Sequence, residues 1–473
     1  LPFTLAPPTD TLVLGAGAGK DVLLALLAGG DRITAVELNQ DSVDLTRRYG
    51  LFNGNILDRP GVTTVVSDGR SFVEGTDQTY DLIYLNLVYS QAAGHQGSAL
   101  AESYIFTEEA LRSYWRHLKP GGRIGIVTHN GFEGSRVLLT AIAALRGEGL
   151  VMRQALDRVI LHQQIGPDPD IATSVLLVTR DVLDENQLTA NLNQAGQRGM
   201  RQMYMPVFFE LALRDLVKGN ADIYQFARNG DYNLLPTNDE RPYFYQIQWG
   251  LPPAIVLLLV VTGLALLVYL TLVVRVTWGG GRRTIVSLTL FFGLLGAAYM
   301  LAMLPLVQRF YLLMGNPTMA LVITLEGLLF GAGFGSLLSA RLHGNLVRPV
   351  TLALAGAVVL LVAYAELYSA FGTLLLQTPL AVRILVVLLM TVTLGLCIGV
   401  PFPSGLRIAG TIAPRAVPAL WGLNAMAAVL GSVLAAATAM QFGFQAVLLL
   451  AAACYAVAAA LLAFLNRQAR SAA

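Results

Sequence analysis

Cysteine is nearly missing from this chain. Its 473 residues include two, Cys397 and Cys454, both inside apolar runs. That excludes a disulfide framework, and the first 250 residues contain no cysteine at all. Charge is scarce as well, at 13% of residues. The 32 Lys and Arg nearly balance the 30 Asp and Glu, for a net charge of +2. With no basic tract, nucleic acid is excluded as a partner, and no metal is expected. Position 1 is not a methionine and no leader precedes the first strand, so we expect a piece of a longer chain.

Apolar residues are in excess instead. They make up 55% of the chain, with a mean hydropathy of +0.59, too apolar for a soluble protein of this size. The excess is uneven. Composition is ordinary as far as residue 250, and long apolar runs begin after Pro252. The expected divisions are a nucleotide-binding domain over 1–181, a helical extension and linker over 182–250, and an all-α transmembrane domain of about seven helices over 251–473.

The stretch "DTLVLGAGAGKDVLLALLAGG" reads as a strand, a glycine-rich turn and a helix from about Lys20. Gly15, Gly17 and Gly19 permit a tight turn and close backbone approach. "RITAVELN" is a second strand ending at Glu37, an acid about 20 residues past the glycines and suited to ribose hydroxyls. "VTTVVSDGRSF" is a third, leading to Asp68 and Gly69, with Asp68 placed to accept from an adenine amino group. "YDLIYLN" is a fourth, leaving the sheet at Asn86, and "LKPGGRIGIVTH" a fifth. Strands alternating with helices predict a doubly wound, largely parallel sheet that binds ligands at its carboxyl edge.

Together these residues resemble the S-adenosylmethionine site of class I methyltransferases and of spermidine synthases, a Rossmann-like fold. "DGRSF", "YDLIYLN" and "AESYIF" followed by "LKPGGRI" tilt the resemblance toward spermidine synthases. "PTNDERPYFY", "GVPFPSGLR" and "WGLNAMAAVLGS" are similar to stretches of the membrane-attached, spermidine synthase-like proteins of bacteria. The resemblance implies S-adenosylmethionine or its decarboxylated form as ligand. It also implies transfer of an aminopropyl or methyl group to a membrane-near acceptor. The family places an Asp, the base for aminopropyl transfer, where this chain has Asn86, and an amide cannot take a proton from a cationic amine. Glu102, in the Ala-Glu-Ser match, is the first replacement. Tyr84, Tyr89, His95 and His129 lie on segments that reach the same cleft, and each has a packing or surface reading as well. Methyl transfer needs less from the protein, since positioning supplies much of its rate. A degenerate scaffold in a larger membrane complex is the third reading.

Apolar runs fall near 254–275, 285–307, 318–340, 350–371, 380–400, 418–440 and 445–465. Each is near the roughly 20 residues that cross hydrocarbon. Trp249 and Trp278 bracket the first like interfacial anchors. In the third, Gly327, Gly331 and Gly335 form a stripe that permits close helix contact with this chain, a second copy or another membrane subunit. Glu326 lies deep in the same run, a functional candidate by position. "VPFPSGL" at 400–406 marks a broken helix or tight connection. The expected location is the plasma membrane. Arginines cluster at 275, 282, 283, 341, 348, 407 and 415, which would place those loops in the cytoplasm and the first half outside. The adenosine site argues for the cytoplasm instead.

Overall fold

The structure, a computed structural model, describes all residues except 6, 88–101, 165–172, 277–281 and 472–473. It forms two compact units, Leu1–Gly250 and Leu251–Ala473.

In the first unit, β1 (Asp10–Leu14), α1 (Lys20–Leu27), β2 (Arg32–Glu37) and α2 (Gln40–Arg48) follow the sequence pattern. Next come β3 (Val62–Val66), α3 (Gly69–Glu74) and β4 (Tyr80–Asn86). After α4 (Glu108–Arg116), β5 (Leu118–Thr128) and α5 (Gly131–Gly147) come β6 (Val159–Gln164) and β7 (Ser174–Thr179). Helix α6 (Glu185–Gln197) leads to β8 (Met200–Tyr204), an edge strand the sequence did not suggest. The sheet order is β3-β2-β1-β4-β5-β7-β6-β8. Strands β1 to β5 are parallel, and β7 runs antiparallel to both β5 and β6. This is the doubly wound sheet that the alternating pattern implied. Its apolar strands are covered by helices on both faces, as parallel strands require. Leu12, Ile83, Leu85, Ile124 and Ile126 are fully buried among α4 and α5 residues such as Tyr114 and Val137. The order reverses between β1 and β4, so their carboxyl ends frame a crevice.

Among the described residues, the second unit contains six helical stretches long and apolar enough to cross a membrane. Its helices are α7 (Pro253–Val276), α8 (Arg282–Met314), α9 (Pro317–Arg341), α10 (Val347–Leu376), α11 (Leu380–Gly399), α12 (Pro401–Ile412) and α13 (Val417–Ser471). Seven runs were expected. The last two lie in the arms of α13, which breaks at Gly443 (φ 86°, ψ 169°). A straight helix would separate Asn424 from Tyr455 by roughly 46 Å. Yet Asn424 donates to Phe292 O, and Tyr455 interacts with Tyr299, only roughly 10 Å farther along α8. The chain therefore folds back at Gly443. The "VPFPSGL" stretch makes the junction of α11 and α12.

The glycine stripe of α9 is used within the chain. A Cβ on Gly331 would lie 2.2 Å from Val392 O, and one on Gly335 2.4 Å from Leu396 O. One on Gly327 would strike the Thr391 hydroxyl. Within the chain, the stripe packs against α11. Arg309 is buried, donating to Tyr364 O at 2.7 Å beneath the Tyr368 ring. Arg407 bonds Ser339 O and Leu342 O at the end of α9. Both arginines thus serve main-chain carbonyls of neighbouring elements. Glu326 sits on the outward face of α9, in an open apolar groove with Leu329, Phe330, Phe334 and Leu337. It is not a buried acid of the bundle, because the glycine face of α9, not the Glu326 face, packs inward.

Candidate active site

The turn after β1 needs its glycines. Gly15, Gly17 and Gly19 have φ of 80°, 49° and 86°, where side chains are strained. A Cβ on Gly19 would lie 2.4 Å from the Ile56 side chain, whereas one on Gly17 would meet nothing within 4 Å. Gly17 thus faces open space, which lets a ligand come close to the backbone. Glu37, at the end of neighbouring β2, reaches this loop. Gly17 N donates to Glu37 Oε2 at 2.8 Å, and Asn39 N donates to Oε1 at 3.0 Å. A carboxylate has about four acceptor positions, so two bonds leave capacity for hydroxyls. The loop and Glu37, 20 residues apart, come together as their spacing suggested.

Asp68 is buried and caps α3, accepting from Ser71 N at 2.9 Å through Oδ1. Gly69 opens that helix beside Leu14. The sequence assigned Asp68 a ligand contact; in the structure its Oδ1 caps α3. Arg70 follows, 3% exposed, paired with Glu74 at 3.0 Å and Asp239 at 3.7 Å. Asp239 accepts from Thr107 Oγ1 at 2.6 Å, and its N–H bonds Glu109 Oε2 at 3.0 Å. Burial, then the Asp239 charge, pushes Glu109 up to about 7. This network fastens the "PTNDERPYFY" stretch to α3 and α4.

Asn86 is the last residue of β4. Its Nδ2 donates to Asp21 Oδ1 at 2.7 Å. Asp21 lies in the first turn of α1 and is 6% exposed. Burial raises its pKa, and the Asn86 bond and Lys20 charge draw it partly back. Leu87, next in the chain, has φ 48°, a left-handed conformation costing of order 1–3 kcal/mol outside glycine. Its N–H is fixed on Val127 O at 3.1 Å. The main chain therefore turns sharply just past Asn86.

Glu102 is tied elsewhere. It hydrogen-bonds Tyr243, and Ser103 N donates to Pro242 O at 2.7 Å. Burial raises Glu102, and burial followed by Glu102 raises Tyr243. Tyr84 is buried and packs edge-on against Phe3 at 4.8 Å, the packing reading of that residue. His129 follows β5, the strand beside β4, and its Nδ1 lies 3.2 Å from Glu133 Oε2. That orients the imidazole at the carboxyl edge of the sheet. Tyr89 and His95 lie outside the described residues. No cluster able to hold a metal ion occurs among the described residues. Asp21 was missed by sequence reasoning. Its only signal was an acid two residues past the last glycine, which spacing alone does not connect to β4.

No family model matches the chain. Among curated proteins it is 26% identical over 162 residues to the polyamine aminopropyltransferase of Nitrosomonas europaea, covering 34% of this chain and 47% of that one. It is 31% identical over 114 residues to the enzyme of that name from Clostridium perfringens, covering 24% and 38%. The chain thus spans less than half the length of these relatives. A solved spermidine synthase in complex with the transition-state analogue AdoDATO has 17% identity and a TM-score of 0.31, over 39% of this chain and 58% of that one. A probable spermidine synthase from Corynebacterium glutamicum has 20% identity and a TM-score of 0.32, over 44% and 70%. This chain is spermidine synthase-like, and its curated homologues are polyamine aminopropyltransferases.

Proposed function

We propose that the sheet unit binds an adenosine-bearing sulfonium, decarboxylated S-adenosylmethionine foremost, and passes its aminopropyl group to an amine near the membrane. The observation that carries this reading is the meeting of the open Gly17 turn with Glu37 at the sheet's crevice. Glu37 would hold the ribose hydroxyls, and Asp68 and Gly69 would flank the adenine. Bound there, the sulfonium supplies an activated carbon. The amine nitrogen attacks that carbon, the carbon–sulfur bond breaks, and the pair stays on sulfur as a neutral thioether. The proton leaves the nitrogen for a base of the cleft. The names of the relatives support an aminopropyl group over other groups.

Asn86 favours a second reading, methyl transfer from S-adenosylmethionine, which depends less on a base. The unit of apolar helices would keep the cleft close to bilayer-borne acceptors, alone or with further membrane subunits. Calorimetry of the full-length protein in detergent with decarboxylated S-adenosylmethionine, S-adenosylmethionine and methylthioadenosine tests the site. Binding of none would remove both transfer readings and leave a scaffold. Release of methylthioadenosine in the presence of putrescine selects aminopropyl transfer.

A further inference from the structure

We propose that Asp21 is the anionic group of this cleft that receives a primary ammonium, and that Asn86 is its positioning residue. The inference rests on the reading that the cleft takes an adenosine sulfonium and an amine. Asp21 stands in the first turn of α1, just beyond the glycine loop that follows β1, and its carboxylate meets Asn86 at the end of β4. Those two ends frame the crevice where the sheet order reverses. A carboxylate only 6% exposed is costly without a cation. Among the described residues Asp21 makes no ion pair, and its only hydrogen-bond donor is the neutral amide of Asn86. Lys20, the adjacent cation, is exposed. No cation among the described residues is paired with this carboxylate, and the ammonium of a bound amine would compensate it.

The amide at position 86 then has a purpose. Two carboxylates at 2.7 Å would compel one to hold a proton. An Asn–Asp pair keeps one negative charge and fixes its direction, with the turn at Leu87 holding the amide in place. The ammonium belongs either to the donor's aminopropyl tail or to the acceptor. The chemistry is the same, and the experiment separates the two.

The full-length protein in detergent is titrated calorimetrically with three probes. Methylthioadenosine carries no amine. Decarboxylated S-adenosylmethionine carries the donor amine. Putrescine, added over saturating methylthioadenosine, represents the acceptor. Asp21→Asn should keep methylthioadenosine affinity within roughly twofold and weaken one amine probe roughly tenfold or more, as loss of a charged partner does. The probe weakened identifies the source. The exchanged pair, Asp21→Asn with Asn86→Asp, should regain most of the lost affinity, which a merely structural Asp21 would not allow. Equal weakening of all probes, or of neither amine, overturns the proposal. If the wild type binds no methylthioadenosine, the adenosine reading fails on its own. Putrescine alone then decides Asp21: binding lost in Asp21→Asn supports it, and no binding overturns it.

Discussion

Arg136 offers a quantitative test of how α5 holds the 235–246 stretch in the first unit. It rises from α5 and is 1% exposed. Its Nε donates to Leu235 O at 3.0 Å. Its Nη1 serves Tyr243 O, Phe244 O and Gln246 O at 3.1, 2.8 and 2.9 Å. Burial, then the Arg241 charge, lowers its pKa to about 9, so it remains charged at neutral pH. Arg136→Met keeps the length and deletes every donor. Four buried carbonyls then lose a partner, each worth about 1–3 kcal/mol if left unsatisfied. Three of them share one nitrogen, and removing a buried charge returns some desolvation energy. Both facts lower the sum below four full penalties, to about 3–5 kcal/mol. That corresponds to roughly a hundred- to several-thousand-fold in the local opening equilibrium. Hydrogen exchange of peptides over 232–247 in the detergent-solubilised chain reads this directly. Arg136→Lys, with a single ammonium, should fall between. Protection within threefold of wild type in Arg136→Met would show that water replaces the guanidinium, and the clamp argument would fail. Because the same stretch carries Tyr243, the partner of Glu102, loosening it should also displace Glu102.

Gly19→Ala should abolish adenosine-ligand binding in calorimetry, because a Cβ there meets Ile56 at 2.4 Å on a backbone with φ 86°. Glu37→Gln should weaken methylthioadenosine by about 1.5–3 kcal/mol through loss of a charge-assisted bond, and unchanged affinity would remove Glu37 from the ribose. Gly331→Ala should lower the thermal stability of the membrane unit without altering oligomeric state on native gels, since its Cβ meets α11 of the same chain. The carboxyl of Glu109, raised to about 7, holds its proton more tightly folded than unfolded. Its contribution is therefore fully present below the unfolded value near 4.5 and lost as pH rises through 7. Protection of α4 amides, taken relative to the intrinsic base-catalysed exchange rate at each pH, should fall from pH 5.5 to 8, and Glu109→Gln should flatten that dependence.

The sequence by itself determined what depends on neighbours along the chain. Five strands, the glycine turn and the acid at the end of β2 were legible because strand periodicity, turn chemistry and a 20-residue βαβ spacing are local. The membrane-length runs were legible because hydrocarbon thickness sets their length. Only the tertiary structure decided which distant residues meet. Asn86 and Asp21 are 65 residues apart and touch because β1 and β4 are adjacent in the sheet. Glu102 turned to Tyr243 because the 236–245 stretch is fastened beside α4. The glycine stripe of α9 was visible as a close-contact surface, but its partner α11 was not, since an apolar helix carries no record of which face a neighbour takes. Gly443 lies between the last two apolar runs, and only the return of α13 along α8 shows that the chain reverses there. Local spacing is fixed by bond geometry. Contact across elements is fixed by which buried faces fit together, and that is a property of the whole packed chain.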